Sequence, residues 1–94
     1  MPAQSAPKRE RQHELRMSFK EKHEYETIDD RIAQLSRELA DIDALIERHA
    51  SDFVKLTELN ERRDRTQQLL DEAEERWLYL TDLAERIEAQ KKGG

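Results

Sequence analysis

The chain has no cysteine, and its few glycines and prolines lie at its ends. Without cysteine there can be no disulfide framework, no thiolate nucleophile and no cysteine-bound zinc or iron–sulfur cluster. The two glycines are Gly93 and Gly94 and the two prolines are Pro2 and Pro7, so residues 8–92 contain no strong helix breaker. This favours long helices over a β fold. It also excludes a glycine-rich phosphate-binding loop, because no glycine precedes Gly93.

Long apolar runs are absent as well. No stretch approaches the roughly 20 apolar residues that span a bilayer, and the N-terminus lacks the apolar segment of a signal peptide. We therefore expect a cytoplasmic protein that does not enter the membrane. Of the 94 residues, 35% are hydrophobic and 41% are charged, which is too little apolar material for a wide globular core. A narrow seam between two helices is what such a composition can bury.

The sequence does contain two heptad stripes of apolar residues. The first comprises Tyr25, Ile28, Ile32, Leu35, Leu39, Ile42 and Ile46, and the second runs from Leu56 to Ile87. Alternating steps of three and four residues keep one side of a helix facing a partner helix. We predict an all-α fold, an antiparallel two-helix coiled-coil hairpin. A flexible basic tail over residues 1–14 precedes the hairpin at 15–92, with helices at about 19–48 and 53–90 and a turn at about 49–52.

Capping signals mark the starts of both helices. Ser18 and Glu21 have the spacing of a capping box, and Ser51 or Asp52 can cap the second helix. The second helix is the longer one, so its last turns extend beyond the first. We expect a small local core at this base of the hairpin, formed by Phe19, Tyr25, Trp77, Leu80, Leu83 and Leu15.

Charged residues predict the register of the two helices. An antiparallel pair with its turn near residue 50 places opposite charges across the seam, and these pairs are Glu24 with Arg76 and Glu38 with Arg62. Exposed pairs of this kind select a register more than they stabilise a fold. In the same register Arg63 and Thr66 lie in the seam, where polar residues lower stability but discourage slippage.

Catalytic and metal-binding patterns are weak. His13 and His23 are each followed by glutamate, as in the zinc motif H-E-x-x-H, but the second histidine is missing in both places. Neighbouring carboxylates such as Asp29 and Asp30 point about 100° apart on a helix, so they do not converge for acid–base work. We predict no catalytic residue, no cofactor and no metal site.

The net charge of −5 is unevenly distributed. Residues 1–17 carry four basic and two acidic residues, whereas the remainder is acidic, so any nucleic-acid binding has to use local patches. Phosphate contacts need clustered Lys and Arg. The candidates are Lys8, Arg9, Arg11, Arg16, Lys20 and Lys22 near the base and Arg48, Lys55, Arg62 and Arg65 towards the tip. Acidic residues interleave with them, so a solvated coiled-coil surface is the alternative interpretation.

Several short stretches occur in a characteristic order within this hairpin. They are MSFKEK (17–22) followed by EYE (24–26), SDFVKL (51–56) at the turn and ERWLYL (75–80) near the end. Together they resemble the C-terminal coiled-coil domain of bacterial ABC-F ATPases of the Uup type. The resemblance implies a module of a protein with two tandem ATP-binding cassettes and no membrane-spanning part. Such proteins act on ribosomes and translation, and the Uup-like domain is linked to DNA binding.

Two functional hypotheses follow. The first is a non-catalytic appendage that works with the ATPase domains of a parent protein and contacts DNA or ribosomal RNA. Both cassettes are missing from this chain, so the resemblance assigns no residue here a role in ATP hydrolysis. The second is a structural hairpin that dimerises or binds another protein through its seam or through the apolar residues at 77–83.

Overall fold

The computed structural model describes residues 15–93, which form two α-helices. α1 runs over Phe19–Arg48 and α2 over Phe53–Gly93. The Arg76 guanidinium of α2 donates to both carboxylate oxygens of Glu24 on α1, at 2.8 and 3.0 Å, as predicted for an antiparallel pair in this register. The predicted all-α hairpin is confirmed. α2 continues past the start of α1 and is about 60 Å long at 1.5 Å per residue.

Polar side chains satisfy the free amides at the helix starts. Ser18 Oγ accepts from the Glu21 amide at 3.1 Å, and the Glu21 carboxylate accepts from the Ser18 amide at 2.9 Å, which is the predicted capping box. At the start of α2 the Asp52 carboxylate accepts from the Lys55 amide at 3.1 Å. The turn is closed by a hydrogen bond from the Asp52 amide to the His49 carbonyl at 2.9 Å. Both helices therefore begin at residues whose side chains replace missing backbone partners.

The core is a single seam between the helices. Ile28, Leu35 and Ile42, at steps of seven residues, are the buried side chains of α1. They face a buried row on α2 formed by Leu59, Thr66, Leu70, Ala73 and Leu80. Thr66 confirms that the seam contains a polar position. Because each fully buried Leu or Ile contributes about 1.5–3 kcal/mol, this one seam holds the hairpin together.

The base of the hairpin differs from the predicted local core. Leu80 is fully buried and Trp77 is half-buried, but Phe19 is 87% exposed, so its placement in the core was wrong. Phe19 lies nine residues before Ile28, which puts its ring about half a turn away from the seam. Phe19 therefore lies on the side of α1 that faces away from the seam, which explains its exposure.

Residues before α1 fold back along the end of α2, as expected for Leu15. The Leu15 amide donates to Gln90 Oε1 at 2.9 Å, and Gln90 Nε2 donates to the Leu15 carbonyl at 3.2 Å. Leu15 and Tyr25 remain exposed and line an open groove with Ile87. The base is therefore a groove pinned by one glutamine rather than a closed core.

The second salt bridge between the helices is not the predicted one. Glu38 and Arg62 form no salt bridge within residues 15–93, and Arg63 pairs instead with Asp43 at 2.6 Å. Arg63 is half-buried at the edge of the seam, so its charge has lost part of its water and gains from a nearby carboxylate. Arg62 is exposed and stays hydrated, which leaves it little to gain from pairing.

Truncation of the most buried seam residue tests this packing. Leu80→Ala should lower the free energy of unfolding by about 2–5 kcal/mol, because it removes a fully buried side chain. Leu78→Ala is the matched control, since that leucine is 61% exposed and its loss should cost less than about 1 kcal/mol. Urea unfolding followed by circular dichroism measures both. Equal costs would contradict a seam that includes Leu80 and leaves Leu78 outside.

Candidate nucleic-acid interface

The hairpin has two open sides, one on each flank of the seam. Arg31 and Arg76 line a shallow groove on one side. Asp29 and Glu74 line a groove on the other. Asp29 and Arg31 are two residues apart on α1, as are Glu74 and Arg76 on α2, so about 200° of rotation separates each pair. We call the side with Arg31 and Arg76 the basic face and the side with Asp29 and Glu74 the acidic face.

The basic face continues towards the tip along α2. Lys55 precedes Arg62 by seven residues and Arg76 follows it by fourteen, which brings all three to the same side of the helix within about 60°. Arg65 follows Arg62 by three residues and widens this strip. Lys55, Arg62 and Arg65 are exposed, and within residues 15–93 none of them forms a salt bridge. Glu58 lies between Lys55 and Arg62 and adds one negative charge to the three positive charges of this strip.

Arg31 belongs to the basic face although the sequence analysis did not select it. It is exposed on α1, seven residues after Glu24, and shares a groove with Arg76. The signal that could have found it was this heptad spacing, because Glu24 was already predicted to face Arg76. Glu38, seven residues further on, is an acidic residue of the same strip.

Acidic residues collect on the opposite face. Asp29 and Asp43 are fourteen residues apart on α1, and Asp64 and Asp71 are seven residues apart on α2, so each pair lies along one side of its helix. Arg63, at this edge of the seam, is engaged by Asp43. The hairpin therefore has one face that carries most of the exposed cations and an opposite face that is richer in carboxylates.

Of the other predicted basic residues, those within 15–93 do not form one surface. Lys8, Arg9 and Arg11 lie outside the described residues. Arg16 and Lys22 line the groove at the base. Lys20 is exposed but lies two residues from Lys22, so the two side chains point to different sides of α1. Arg48 is the last residue of α1 and is exposed beside the turn.

At the base of the basic face, the positive charge of Arg76 is balanced by a carboxylate within a hydrogen-bonded network. Besides its two bonds to Glu24, the Arg76 guanidinium carbon lies 4.9 Å from the centre of the Tyr79 ring. The Tyr79 hydroxyl donates to the Glu21 carboxylate at 3.0 Å. The Tyr79 ring is thus engaged within the domain, and the cationic character of this face comes from the residues nearer the tip.

These contacts shift the pKa values of the groups involved. The hydrogen bond from Arg76 lowers the pKa of Glu24 and raises the pKa of Arg76 itself. The Ser18 amide, followed by the Tyr79 hydroxyl, lowers the pKa of Glu21. The same bond to Glu21 raises the pKa of Tyr79. Each shift favours the charge state that holds the network together at neutral pH.

Comparison with known proteins identifies the family of this chain. Residues 16–82 match the family model described as ABC transporter C-terminal domain. The chain belongs to this family. It is also similar to a Bacillus subtilis (strain 168) protein named uncharacterized ABC transporter ATP-binding protein YfmR, with 33% identity over 87 residues. The match covers 93% of this chain and 13% of that relative. No solved structure matches the chain.

Family membership makes the hairpin the C-terminal domain of an ABC ATPase. In residues 15–93 no helix is long and apolar enough to cross a membrane. That part of the chain also contains no group of histidine and carboxylate residues arranged to hold a metal. The described domain does carry charged faces and exposed apolar side chains.

The Glu24–Arg76 pair gives a pH-dependent prediction. Arg76→Gln should raise the pKa of Glu24 towards the ordinary glutamate value, because it removes the hydrogen-bonded cation. The pKa of Glu24 is lower in the folded than in the unfolded chain, so its stabilising contribution is present above the unfolded pKa and is lost as pH falls through the folded pKa. NMR titration of the Glu24 carboxyl carbon measures the shift.

A matched arginine within one helix is the control for that titration. Arg86→Gln breaks only the pair with Asp82 on α2 and should leave the titration of Glu24 unchanged. If Arg76→Gln also left the titration of Glu24 unchanged, the Glu24–Arg76 salt bridge would not exist in solution.

Proposed function

We propose that the chain is the non-catalytic coiled-coil module of an ABC-F type ATP-binding protein, and that it contacts nucleic acid, either DNA or ribosomal RNA, in the cytoplasm. Membership of the ABC transporter C-terminal domain family supports the link to an ATPase. The motif resemblance supports the ABC-F type. The ATP-binding cassettes of the parent protein are the expected protein partners, and ATP chemistry belongs to them.

The observation that carries this proposal is the separation of charge between the two faces. Arg31, Lys55, Arg62 and Arg65 are exposed on the basic face without a salt bridge in the described part of the chain. Their donors are therefore available to phosphate oxygens. Lys55 and Arg62 are about 10 Å apart along the helix axis, so they can contact different phosphates of one backbone.

The acidic residues of the domain determine from which side a nucleic acid can approach it. The net charge of −5 disfavours a general attraction to polyanions. Repulsion by Asp64 and Asp71 leaves the basic face as the favourable approach. Contacts of this type position a backbone and do not read its base sequence. The proposed contact residues are Lys8, Arg9, Arg11, Arg16, Lys20, Lys22, Arg48, Lys55, Arg62 and Arg65, to which we add Arg31.

A second candidate function, protein binding or dimerisation, is favoured by the acidic face. Leu78 is 61% exposed and lines a groove with Trp77 and Ile32. Asp29 and Glu74 border the same groove. Exposed apolar side chains beside a half-buried tryptophan are typical of protein interfaces. This groove lies on the side opposite the basic face, so the two functions can be tested separately.

Binding at increasing salt tests the nucleic-acid proposal. We expect the 94-residue chain to bind duplex DNA or a structured RNA at low ionic strength, with an affinity that falls as salt rises because counterions are released. Arg62→Gln/Arg65→Gln should weaken binding at least about fivefold and reduce the slope of log affinity against log salt by about 1 to 2. Fluorescence anisotropy with labelled DNA and RNA measures both quantities.

The matched control removes the same charge from other positions. Arg37→Gln/Lys92→Gln changes an exposed residue two positions after buried Leu35, on the far side of α1, and an exposed lysine 21 residues after Asp71, on the side of the acidic face. This variant should bind like the unaltered chain. Equal losses in the two double variants would mean that only net charge matters. Absence of binding to DNA, RNA and ribosomes at low salt would refute the proposal.

Sedimentation equilibrium tests the second candidate. We expect a monomer, because Leu78 is the one largely exposed apolar side chain of this groove, whereas a stable interface buries roughly 1,200–2,000 Å². A dimer that dissociates on Leu78→Lys would overturn this expectation and establish the second function. Leu69→Lys is the control, since Leu69 is exposed seven residues after Arg62, on the basic face.

A further inference from the structure

The apolar row of α2 continues beyond the start of α1. Ile87 follows buried Leu80 by seven residues and Ala84 follows half-buried Trp77 by seven, so both face the side that α1 covers along the rest of the hairpin. In the antiparallel register of the helices, the residues across from them precede Phe19, where α1 begins. Because α1 begins too late to cover this stretch, an open groove remains at the base.

Apolar side chains form most of this base groove. Leu15 is 39% exposed and Tyr25 is 36% exposed, and they line the groove together with Met17, Ala84 and Ile87. Its volume is about 520 Å³, within the roughly 300–1,000 Å³ that is usual for binding sites. Small-molecule sites enclose most of their ligand, whereas this groove is open along its length. It therefore suits a peptide segment whose outer side stays in water.

The wall formed by Leu15 is held in place before any ligand binds. Gln90 Oε1 accepts from the Leu15 amide at 2.9 Å, and Gln90 Nε2 donates to the Leu15 carbonyl at 3.2 Å. The capping box of Ser18 and Glu21 orders the residues that follow. Since this wall is already fixed, a ligand that binds beside it loses less conformational entropy.

Basic residues border the apolar floor. Lys22 on α1, Lys91 on α2 and Arg16 before α1 line the groove, and none of its described lining residues is acidic. Lys91 follows Ala84 by seven residues, so the next position of the apolar row is a cation. Lys22 and Lys91 are exposed, and neither forms a salt bridge within residues 15–93. An acidic ligand complements such a groove.

The carboxylates nearest to the groove are engaged or point elsewhere. Glu21 accepts a hydrogen bond on each of its carboxylate oxygens. Glu88 follows Ile87 by one residue and therefore lies about 100° further around α2. Asp29 lies about 10 Å nearer the tip than Lys22 and lines the groove on the acidic face. The two lysines are thus left to pair with carboxylates of a partner.

We infer that the base groove binds a short acidic amphipathic peptide segment of a partner protein. An apolar side chain of the segment enters the groove and completes the row of α2, and its flanking carboxylates pair with Lys22 and Lys91. Burial of the apolar side chain supplies affinity, and the lysines select acidic over basic segments. This site gives Lys22 a carboxylate as its partner and does not depend on nucleic-acid binding.

A synthetic peptide serves as the probe. It carries a fluorescent label and two leucines flanked by glutamates, and fluorescence anisotropy measures its binding to the 94-residue chain. We expect binding at low ionic strength that weakens as salt screens the charges. A peptide with glutamine in place of glutamate, and another with alanine in place of leucine, should each bind at least about fivefold more weakly. Equal binding of all three peptides would overturn the inference.

Charge variants at the base test the role of the two lysines. Lys22→Gln/Lys91→Gln should weaken binding of the probe at least about fivefold. Lys20→Gln/Lys92→Gln is the matched control, because it removes the same charge from the same helix ends at exposed positions that do not line the groove. The control should bind the probe like the unaltered chain. Equal losses in the two double variants would mean that only net charge matters, which would overturn the site.

Leucine variants test the apolar part of the site. Leu15→Ala removes a side chain that lines the groove but keeps the backbone bonds to Gln90, and it should weaken binding of the probe at least about threefold. Leu78→Ala alters an exposed leucine of the groove on the acidic face and should leave binding unchanged. Circular dichroism checks that both variants fold.

Other occupants of the groove give different results. Absence of probe binding at low salt would overturn the inference and leave the nucleic-acid proposal to its own test with Arg62→Gln/Arg65→Gln. Displacement of the probe by duplex DNA, with weaker DNA binding in Lys22→Gln/Lys91→Gln, would assign the groove to nucleic acid and overturn the peptide site. A dimer that dissociates in the same variant would place a second copy of the chain in the groove, which would also overturn it.

Discussion

Burial of one apolar seam between two antiparallel helices is the interaction on which the rest of this domain depends. Ile28, Leu35 and Ile42 supply it from α1 at steps of seven residues, and a matching row on α2 covers them. With 41% of the residues of the chain charged, the part described, residues 15–93, buries its apolar side chains mainly in this seam. A seam covers only one side of each helix, so most side chains remain in water. The charged faces, the grooves and the exposed tip all consist of residues that the seam leaves outside.

The seam also decides which charges remain available. Glu24–Arg76 and Asp43–Arg63 join the helices on opposite flanks and occupy two arginines close to the seam. Exposed pairs contribute only about 0–1 kcal/mol each, so their main effect is on register. Arginines one position further round, such as Arg62, stay hydrated and unpaired within residues 15–93. Four of the cations proposed to bind phosphate, Arg31, Lys55, Arg62 and Arg65, thus form no salt bridge within residues 15–93.

In this C-terminal domain of an ABC ATPase, the residues that hold the fold together are separate from those proposed to bind a partner. The caps, the seam and the salt bridges hold a hairpin whose long α2 reaches from base to tip. The proposed contacts lie off the seam, along the basic face. A binding surface on the outside of a coiled coil can vary without repacking the core, because its side chains touch few others.

Local periodicity was sufficient to predict the hairpin, the capping box of Ser18 and Glu21, the polar seam position at Thr66 and the pair of Glu24 with Arg76. Each depends on spacing along one helix or on a register set by the turn. The tertiary structure alone decided the partner of Arg63 and the engagement of Tyr79 by Glu21. These features depend on how far each side chain reaches and on its angle around both helices at once. A heptad position fixes only the side of its own helix on which a residue lies, so sequence spacing could align residues along one helix but could not decide which side chains of the two helices meet.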